Sequence, residues 1–251
     1  MCNFLQSPHD HGRHDSQLRS VVKTSESGRY DSPVAGIQAL CFDLDGVLVD
    51  TEPIWERVRR RYAEDHGGRW SDDLQARMMG VQTRDWSREL SDASGGRIGP
   101  QAVALEITGD LAREYTRHLP VIEGAVPAVR LLAESFRLGL VSGSPASLIG
   151  LVLELTDLAG CFEVAMSADE VEHGKPEPDP YVGLALRLQV APGSCVAVED
   201  SANGIRSARA AGMRVVAIPR GKHRPAPEVL QLADRTLESI NGLTPSLVRG
   251  I

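Results

Sequence analysis

The chain of 251 residues contains no run of about eighteen apolar residues, which excludes a membrane-spanning helix as its organising element. Its first thirty positions carry charges and histidines in place of the apolar stretch of a secretory signal, so a cytoplasmic, soluble protein without a membrane partner is expected. Cysteine is scarce. Cys2, Cys41, Cys161 and Cys195 have neither the close spacing of a zinc site nor the density of a disulfide scaffold, and free thiols are expected, with Cys41 and Cys195 inside buried strands. Positive charge is also in short supply: Lys plus Arg number 27 against 34 Asp plus Glu, for a net charge of -7. That balance is the opposite of a nucleic-acid-binding footprint and excludes nucleic acid as the expected partner. With 42% hydrophobic residues, the chain can nevertheless bury a sizeable core.

Residues 1 to 35 are rich in Ser, His, Asp and Arg and poor in apolar periodicity, so they read as a flexible leader. Its clustered His9, His11 and His14 read as solvated. From position 37 short apolar runs follow one another, IQALCF, LGLV, CVAV and RVVAI, separated by helical stretches. This alternation predicts an α/β fold, a doubly wound, Rossmann-like parallel sheet covered by helices on both faces. One predicted helix follows Gly124, with Val126, Val129, Ala133 and Phe136 at helical spacing; another, NGIRSARAAG, ends in a terminating Gly. Roughly ninety residues separate the first two strands, too many for a simple crossover, so an inserted helical module is expected over 54–120 within a core of 36–53 and 121–251. In the module Trp55, Val58 and Tyr62 share one helix face, while Arg57, Arg60 and Arg61 point to solvent; LEITGDLAREY marks a later helix, and Trp55, Trp70 and Trp86 all fall here.

Chemistry-bearing residues gather just beyond the predicted strands, where open parallel sheets bind ligands. Asp43 and Asp45 follow the first strand, and Gly46 lets the chain turn there. Two carboxylates so close call for a cation or a proton. Glu199 and Asp200 follow the CVAV strand, and oxygen ligands from two strand ends suit magnesium, although Asp200 alone would serve equally as a helix cap. Ser142 and Gly143 end the LGLV strand ahead of a helix, offering either a phosphate cradle or an ordinary turn. Lys175 sits in the proline-stiffened GKPEPDP segment, a fixed point charge for phosphate.

The order Asp43-Leu-Asp45-Gly-Val-Leu-Val-Asp50-Thr-Glu, Ser142, Lys175 in GKPEPDPY, then Glu199-Asp200-Ser-Ala-Asn-Gly-Ile resembles the haloacid dehalogenase-like (HAD) superfamily over roughly residues 36–220. The continuation RSARAAGM is typical of its sugar-phosphate phosphatase and β-phosphoglucomutase subgroup. The resemblance implies a phosphomonoester hydrolase acting on a small phosphorylated metabolite, a sugar phosphate first among the guesses. In it Asp43 is the nucleophile that forms an aspartyl phosphate, and Asp45 is the general acid and base. Mg2+ is held by Asp43, the backbone carbonyl of Asp45 and Asp200, with Glu199 in an outer role, while Ser142, Gly143 and Lys175 bind phosphate. The insert matches the family's cap, in which Trp55 and Arg84, within Met79-Gly80-Val81-Gln82-Thr83-Arg84-Asp85, are candidates to touch substrate.

Two other functions remain in view. A β-phosphoglucomutase-type mutase carries a histidine where Trp55 stands, which favours hydrolysis, although the loop around Arg84 is similar to the mutase cap. A dehalogenase is disfavoured by Asp45. A non-catalytic binding protein for phosphorylated metabolites is disfavoured by the intact set of carboxylates and lysine. An acidic protein of this size is compatible with a monomer or a dimer.

Overall fold

The computed structural model describes residues 36–221 and 224–251. The leader, with Cys2 and the three clustered histidines, lies outside the described residues. Six parallel strands form one sheet in the order β3-β2-β1-β4-β5-β6. They are β1 (Ala39–Phe42), β2 (Arg137–Ser142), β3 (Val164–Ser167), β4 (Cys195–Glu199), β5 (Arg214–Ala217) and β6 (Arg235–Thr236). Between β1 and β2 come α1 (Glu52–Asp65), α2 (Asp72–Met78), α3 (Thr83–Ala93), α4 (Pro100–Arg117) and α5 (Ala125–Ala133). The rest of the chain contributes α6 (Ala146–Leu155), α7 (Asp179–Arg187), α8 (Ala202–Ala210), α9 (Pro227–Leu230) and α10 (Pro245–Arg249). Among the described residues no helix is long and apolar enough to cross a membrane.

The sheet is buried on both faces, and the strand period of two sorts its side chains by size. Leu40, Phe42, Leu138, Leu140, Val196 and Val198 belong to one core cluster, reached by α5, α6 and the insert helices. Ala39, Cys41, Cys195, Ala197 and Ala217 fall in the other, against Tyr181, Leu184 and Leu188 of the α7 region and Ile205 and Ala208 of α8. Cys41 and Cys195 are buried free thiols, as their apolar surroundings imply. β3 and β6 had no counterpart among the expected strands, because VAMS and RT lie in no run of large apolar residues like those that mark the other four strands. The helix after Gly124 stops at Ala133, so Phe136 lies in the turn into β2 and not on the helix. The buried positions of that helix are Ala125, Ala128, Val129 and Leu132.

The insert leaves and rejoins the core at one point. Val49 and Val121 form an antiparallel bridge, Asp50 N–H donates to the Pro120 carbonyl at 2.8 Å, and Ile122 N–H donates to the Leu48 carbonyl at 2.9 Å. The helical segment opens at Glu52, slightly ahead of the expected 54, with Pro53 in the first turn where its missing N–H costs nothing. Ser71 caps α2 by accepting from Leu74 N–H at 3.1 Å. Trp86, Leu90, Ile107 and Leu111 pack the insert's interior, all fully buried. Arg57, Arg60 and Arg61 do face solvent, paired with Glu114, Glu56 and Asp110.

Leu140 is fully buried in the sheet centre, opposite Phe42. Leu140→Ala is expected to cost about 2–5 kcal/mol through lost transfer energy and a cavity, read as a lower urea midpoint at unchanged slope.

Candidate active site

Parallel register places Phe42 beside both Leu140 and Val198, so β1, β2 and β4 end at one sheet edge. The residues that follow them in sequence are therefore neighbours in space. Asp43 N–H donates to the Val198 carbonyl at 3.0 Å, extending the ladder by one residue into the site. The chain then reverses sharply: Gly46 N–H donates to Val49 O at 2.7 Å and Leu48 N–H to Leu44 O at 2.9 Å. Gly46 has φ +83°, and a Cβ there would stand 1.9 Å from Asp200 Oδ2, so both backbone conformation and the approach of β4 require glycine.

Lys175 organises the buried charge. Its Nζ donates to Asp43 Oδ1 at 2.7 Å and Glu199 Oε1 at 2.6 Å. Burial works against the ammonium, but the charges of Asp43 and Glu199 outweigh it and hold Lys175 above the ordinary lysine range. Glu199 has no solvent exposure and is saturated with donors. Oε1 also accepts from Tyr181 Oη at 2.8 Å, and Oε2 accepts from Asp200 N–H, Ser201 N–H and Ser201 Oγ at 3.1, 3.3 and 3.0 Å. Gly204 leaves room for this carboxylate, since a Cβ would fall 1.7 Å from Oε1. Ser201 also accepts from Gly204 N–H at 3.0 Å, so the residue that caps α8 is Ser201 and not Asp200.

Asp45 meets three hydroxyls. Thr51 Oγ1 donates to its Oδ1, while Ser142 Oγ and Ser144 Oγ donate to Oδ2 at 3.0 and 2.8 Å. Ser142, expected as a phosphate donor, thus commits its proton to Asp45 and accepts from Ser144 N–H at 3.0 Å. Thr51, Ser144 and Tyr181 escaped sequence reasoning because a hydroxyl in a turn or on an apolar helix face carries no distinctive spacing.

Oxygen atoms of Asp43, Glu199 and Asp200 lie within 4.8 Å of one another. The Asp45 carboxylate stands outside that trio. Burial pushes Asp43 up to about 8, against the pull of Lys175 and with the help of the Glu199 and Asp45 charges. Burial likewise raises Asp200 well above the carboxylate range, joined by repulsion from Glu199 and Asp43. Among the described residues, none donates a hydrogen bond to the Asp200 carboxylate. Crowded hard oxygen donors with only one lysine between them fit a divalent cation, with Asp43 and Asp200 the available ligands and Glu199 already engaged.

Asp43, Asp45, Ser142, Ser144, Lys175 and Asp200 line a cleft of about 360 Å³ between the strand ends and the insert, which Gly143 and Trp55 also line. Arg84 is not among the lining residues; its side chain is exposed and donates to Asp85 and to Gln82 Oε1, both at 3.2 Å. The residue that turns inward is its neighbour Gln82, whose Nε2 donates to the Ala168 and Val171 carbonyls at 2.5 and 3.0 Å, while Thr83 N–H donates to Asp169 Oδ1 at 2.8 Å. Gln82 thereby fastens the insert's Met79–Val81 segment over the strand ends. Gln82→Ala leaves two buried carbonyls without this donor and is expected to cost about 1–3 kcal/mol, seen as a fall in Tm of several degrees.

A family model for haloacid dehalogenase-like hydrolases matches residues 37–212. Hexitol phosphatase B of Escherichia coli K12 is 34% identical over 227 residues, covering 83% of this chain and 95% of its own. A phosphorylated carbohydrates phosphatase of Thermotoga maritima is 32% identical over 178 residues, covering 70% and 82%. Among solved structures, CbbY from Rhodobacter sphaeroides in complex with phosphate superposes with a TM-score of 0.75 at 22% identity, over 86% of this chain and all of that one, a likeness of fold. The match of the family model across most of the chain, on a parallel sheet whose strand ends gather the four expected motifs, makes this protein a member of the haloacid dehalogenase-like hydrolases.

Proposed function

We propose that the chain is a magnesium-dependent phosphatase that hydrolyses sugar or polyol monophosphates through an aspartyl phosphate on Asp43. The observation that carries this reading is the placement of Asp43 and Asp45 in one cleft, with the Lys175 ammonium 2.7 Å from Asp43 Oδ1. The names of two relatives above 30% identity, a hexitol phosphatase and a phosphorylated carbohydrates phosphatase, support the substrate class.

In this mechanism an Asp43 carboxylate oxygen forms a bond to phosphorus as the bond to the leaving oxygen breaks, and Asp45 delivers its proton to that oxygen. Water then attacks the phosphorus of the aspartyl phosphate and gives a proton to Asp45, which frees inorganic phosphate and restores Asp43. The hydroxyls of Thr51, Ser142 and Ser144 hold Asp45 in place for both transfers. Lys175 offsets charge on the phosphoryl oxygens, and Gly143, ahead of α6, presents backbone N–H to them. Magnesium, held by Asp43, the Asp45 carbonyl and Asp200, supplies further positive charge to the phosphoryl group when bound. The insert acts as a cap that excludes water and selects the leaving group. Trp55 supports hydrolysis over the mutase alternative, because its indole has no basic nitrogen to move a proton for a second sugar hydroxyl. Free buried thiols at Cys41 and Cys195 suit work in the cytoplasm.

Phosphate release from a panel of phosphomonoesters, with and without magnesium, tests the reading. Release should be lost on chelation and restored by magnesium; no release from any ester by the wild-type chain would overturn it. Asp43→Asn should abolish release while the circular dichroism spectrum and Tm show an intact fold. Asp45→Asn should lower kcat by about 10²–10⁴ with phosphate binding largely kept, and an unchanged kcat would remove its acid–base role.

A further inference from the structure

The cleft wall contributed by the insert holds a buried cation that makes no ion pair among the described residues. Arg59, in α1, is only 3% exposed and lines the cleft. Its neighbours Arg57, Arg60 and Arg61 all form ion pairs at the surface, whereas Arg59 forms none among the described residues and its Nε has no hydrogen-bond partner. The guanidinium instead lies 4.3 Å from the ring centroid of Trp55 and 5.1 Å from that of Trp86, rings that themselves meet edge to face at 5.6 Å. Burial pulls Arg59 down to about 10, against the attraction of Glu52, so it remains a cation at neutral pH. Cation–π contact uses the faces of a guanidinium and leaves its N–H edge, five donors in a plane, for another partner. Trp86 Nε1, on the same wall, is a second buried donor without one.

Burying an arginine that makes no ion pair or hydrogen bond is costly, and the more distant charge of Glu52 offsets only part of that cost. Two tryptophans that fix it at the mouth of a site make sense if a ligand completes the hydrogen bonding. Resting on the phosphatase reading above, we propose that Arg59 is the specificity-determining residue of the insert, donating to hydroxyl oxygens of a neutral, polyhydroxylated leaving group. Charge decides between hydroxyls and a second anion. The cleft lining as a whole carries Asp43, Asp45, Asp50, Glu52, Asp200 and the Arg60-paired Glu56 against Arg59, Lys175 and Arg220, so a second phosphate or a carboxylate on the leaving group would meet more negative than positive charge. A hydroxyl can accept from Arg59 and donate to Glu52 at once, and a polyol offers several.

The test compares kcat/KM for a hexitol phosphate with that for an aryl phosphate, whose leaving group has no aliphatic hydroxyls, in the wild-type chain, Arg59→Met and Arg59→Lys. In Arg59→Met the ratio of the two should fall about ten- to a hundredfold, carried mostly by KM for the hexitol ester, because buried polar partners are lost. Arg59→Lys keeps charge and stem but loses the planar fork, and should fall between. If Arg59→Met does not fold, the ratio in Arg59→Lys decides: a severalfold drop supports the assignment and an unchanged ratio overturns it. Equal losses on both esters in a folded Arg59→Met would make Arg59 a packing residue only and overturn the inference while leaving the phosphatase intact. A wild-type preference for a hexose bisphosphate over the monophosphate would overturn the neutral leaving group. Absence of hydrolysis of every ester would overturn the phosphatase reading and this one with it.

Discussion

The Lys175 ammonium, fixed between Asp43 and Glu199, is the contact on which the site depends. Parallel strand order crowds four carboxylates, Asp43, Asp45, Glu199 and Asp200, at the ends of two adjacent strands. At an effective dielectric constant of about 20, two like charges 4 Å apart repel by about 4 kcal/mol, so the arrangement stands only with compensation built in. The protein supplies it unevenly. Glu199 receives a lysine, a tyrosine, a serine hydroxyl and two backbone donors, and Asp45 receives three hydroxyls. Asp43 receives the lysine, and Asp200, with no hydrogen-bond donor among the described residues, has burial and repulsion that outweigh the pull of Lys175. The unevenness divides the labour: the saturated carboxylate positions the others, and the under-compensated pair is where a cation is most strongly attracted.

The core and its chemistry were legible because each motif combines a strand's apolar run with charged residues just past its end, a juxtaposition that random sequence seldom repeats in order. Asp43, Asp45, Lys175, Glu199 and Asp200 come together in space as their order along the chain implied. What stayed hidden had no period or was masked by its surroundings. The edge strands β3 and β6 carry too little apolar sequence to stand out as runs. Ser142 was recognised as belonging to the site, but the direction of its proton depends on Asp45, which only folding brings alongside. Arg59 was concealed inside an arginine run whose other members are solvent-exposed, since helical spacing alone put four arginines on one short segment without saying that the inner one faces two tryptophans. Arg84, prominent in sequence, is turned outward, while the less conspicuous Gln82 makes the inward contact.

Chemistry and recognition are therefore housed in different materials. The strand ends are rigid, packed on both faces and dense in backbone hydrogen bonds, as suits groups that must keep fixed distances during bond exchange. The insert is built of helices whose buried residues, Trp55, Trp86, Leu90, Ile107 and Leu111 among them, continue the apolar cluster on one face of the sheet. Gln82 and Thr83 add polar contacts to the strand-end side of the core.

The two-point junction at Val49 and Val121 also bears on how such a protein diversifies. Because the insert departs and returns through one bridged pair of residues, the sheet experiences it as a closed loop, and the entropy of closing a loop grows only with the logarithm of its length, about 0.6 kcal/mol for each doubling. Lineages can lengthen, shorten or rebuild the helices between those two valines at little thermodynamic penalty to β1 and β2, whose pairing fixes Asp43. Substrate range is thus free to drift over generations while the reaction itself is inherited unchanged.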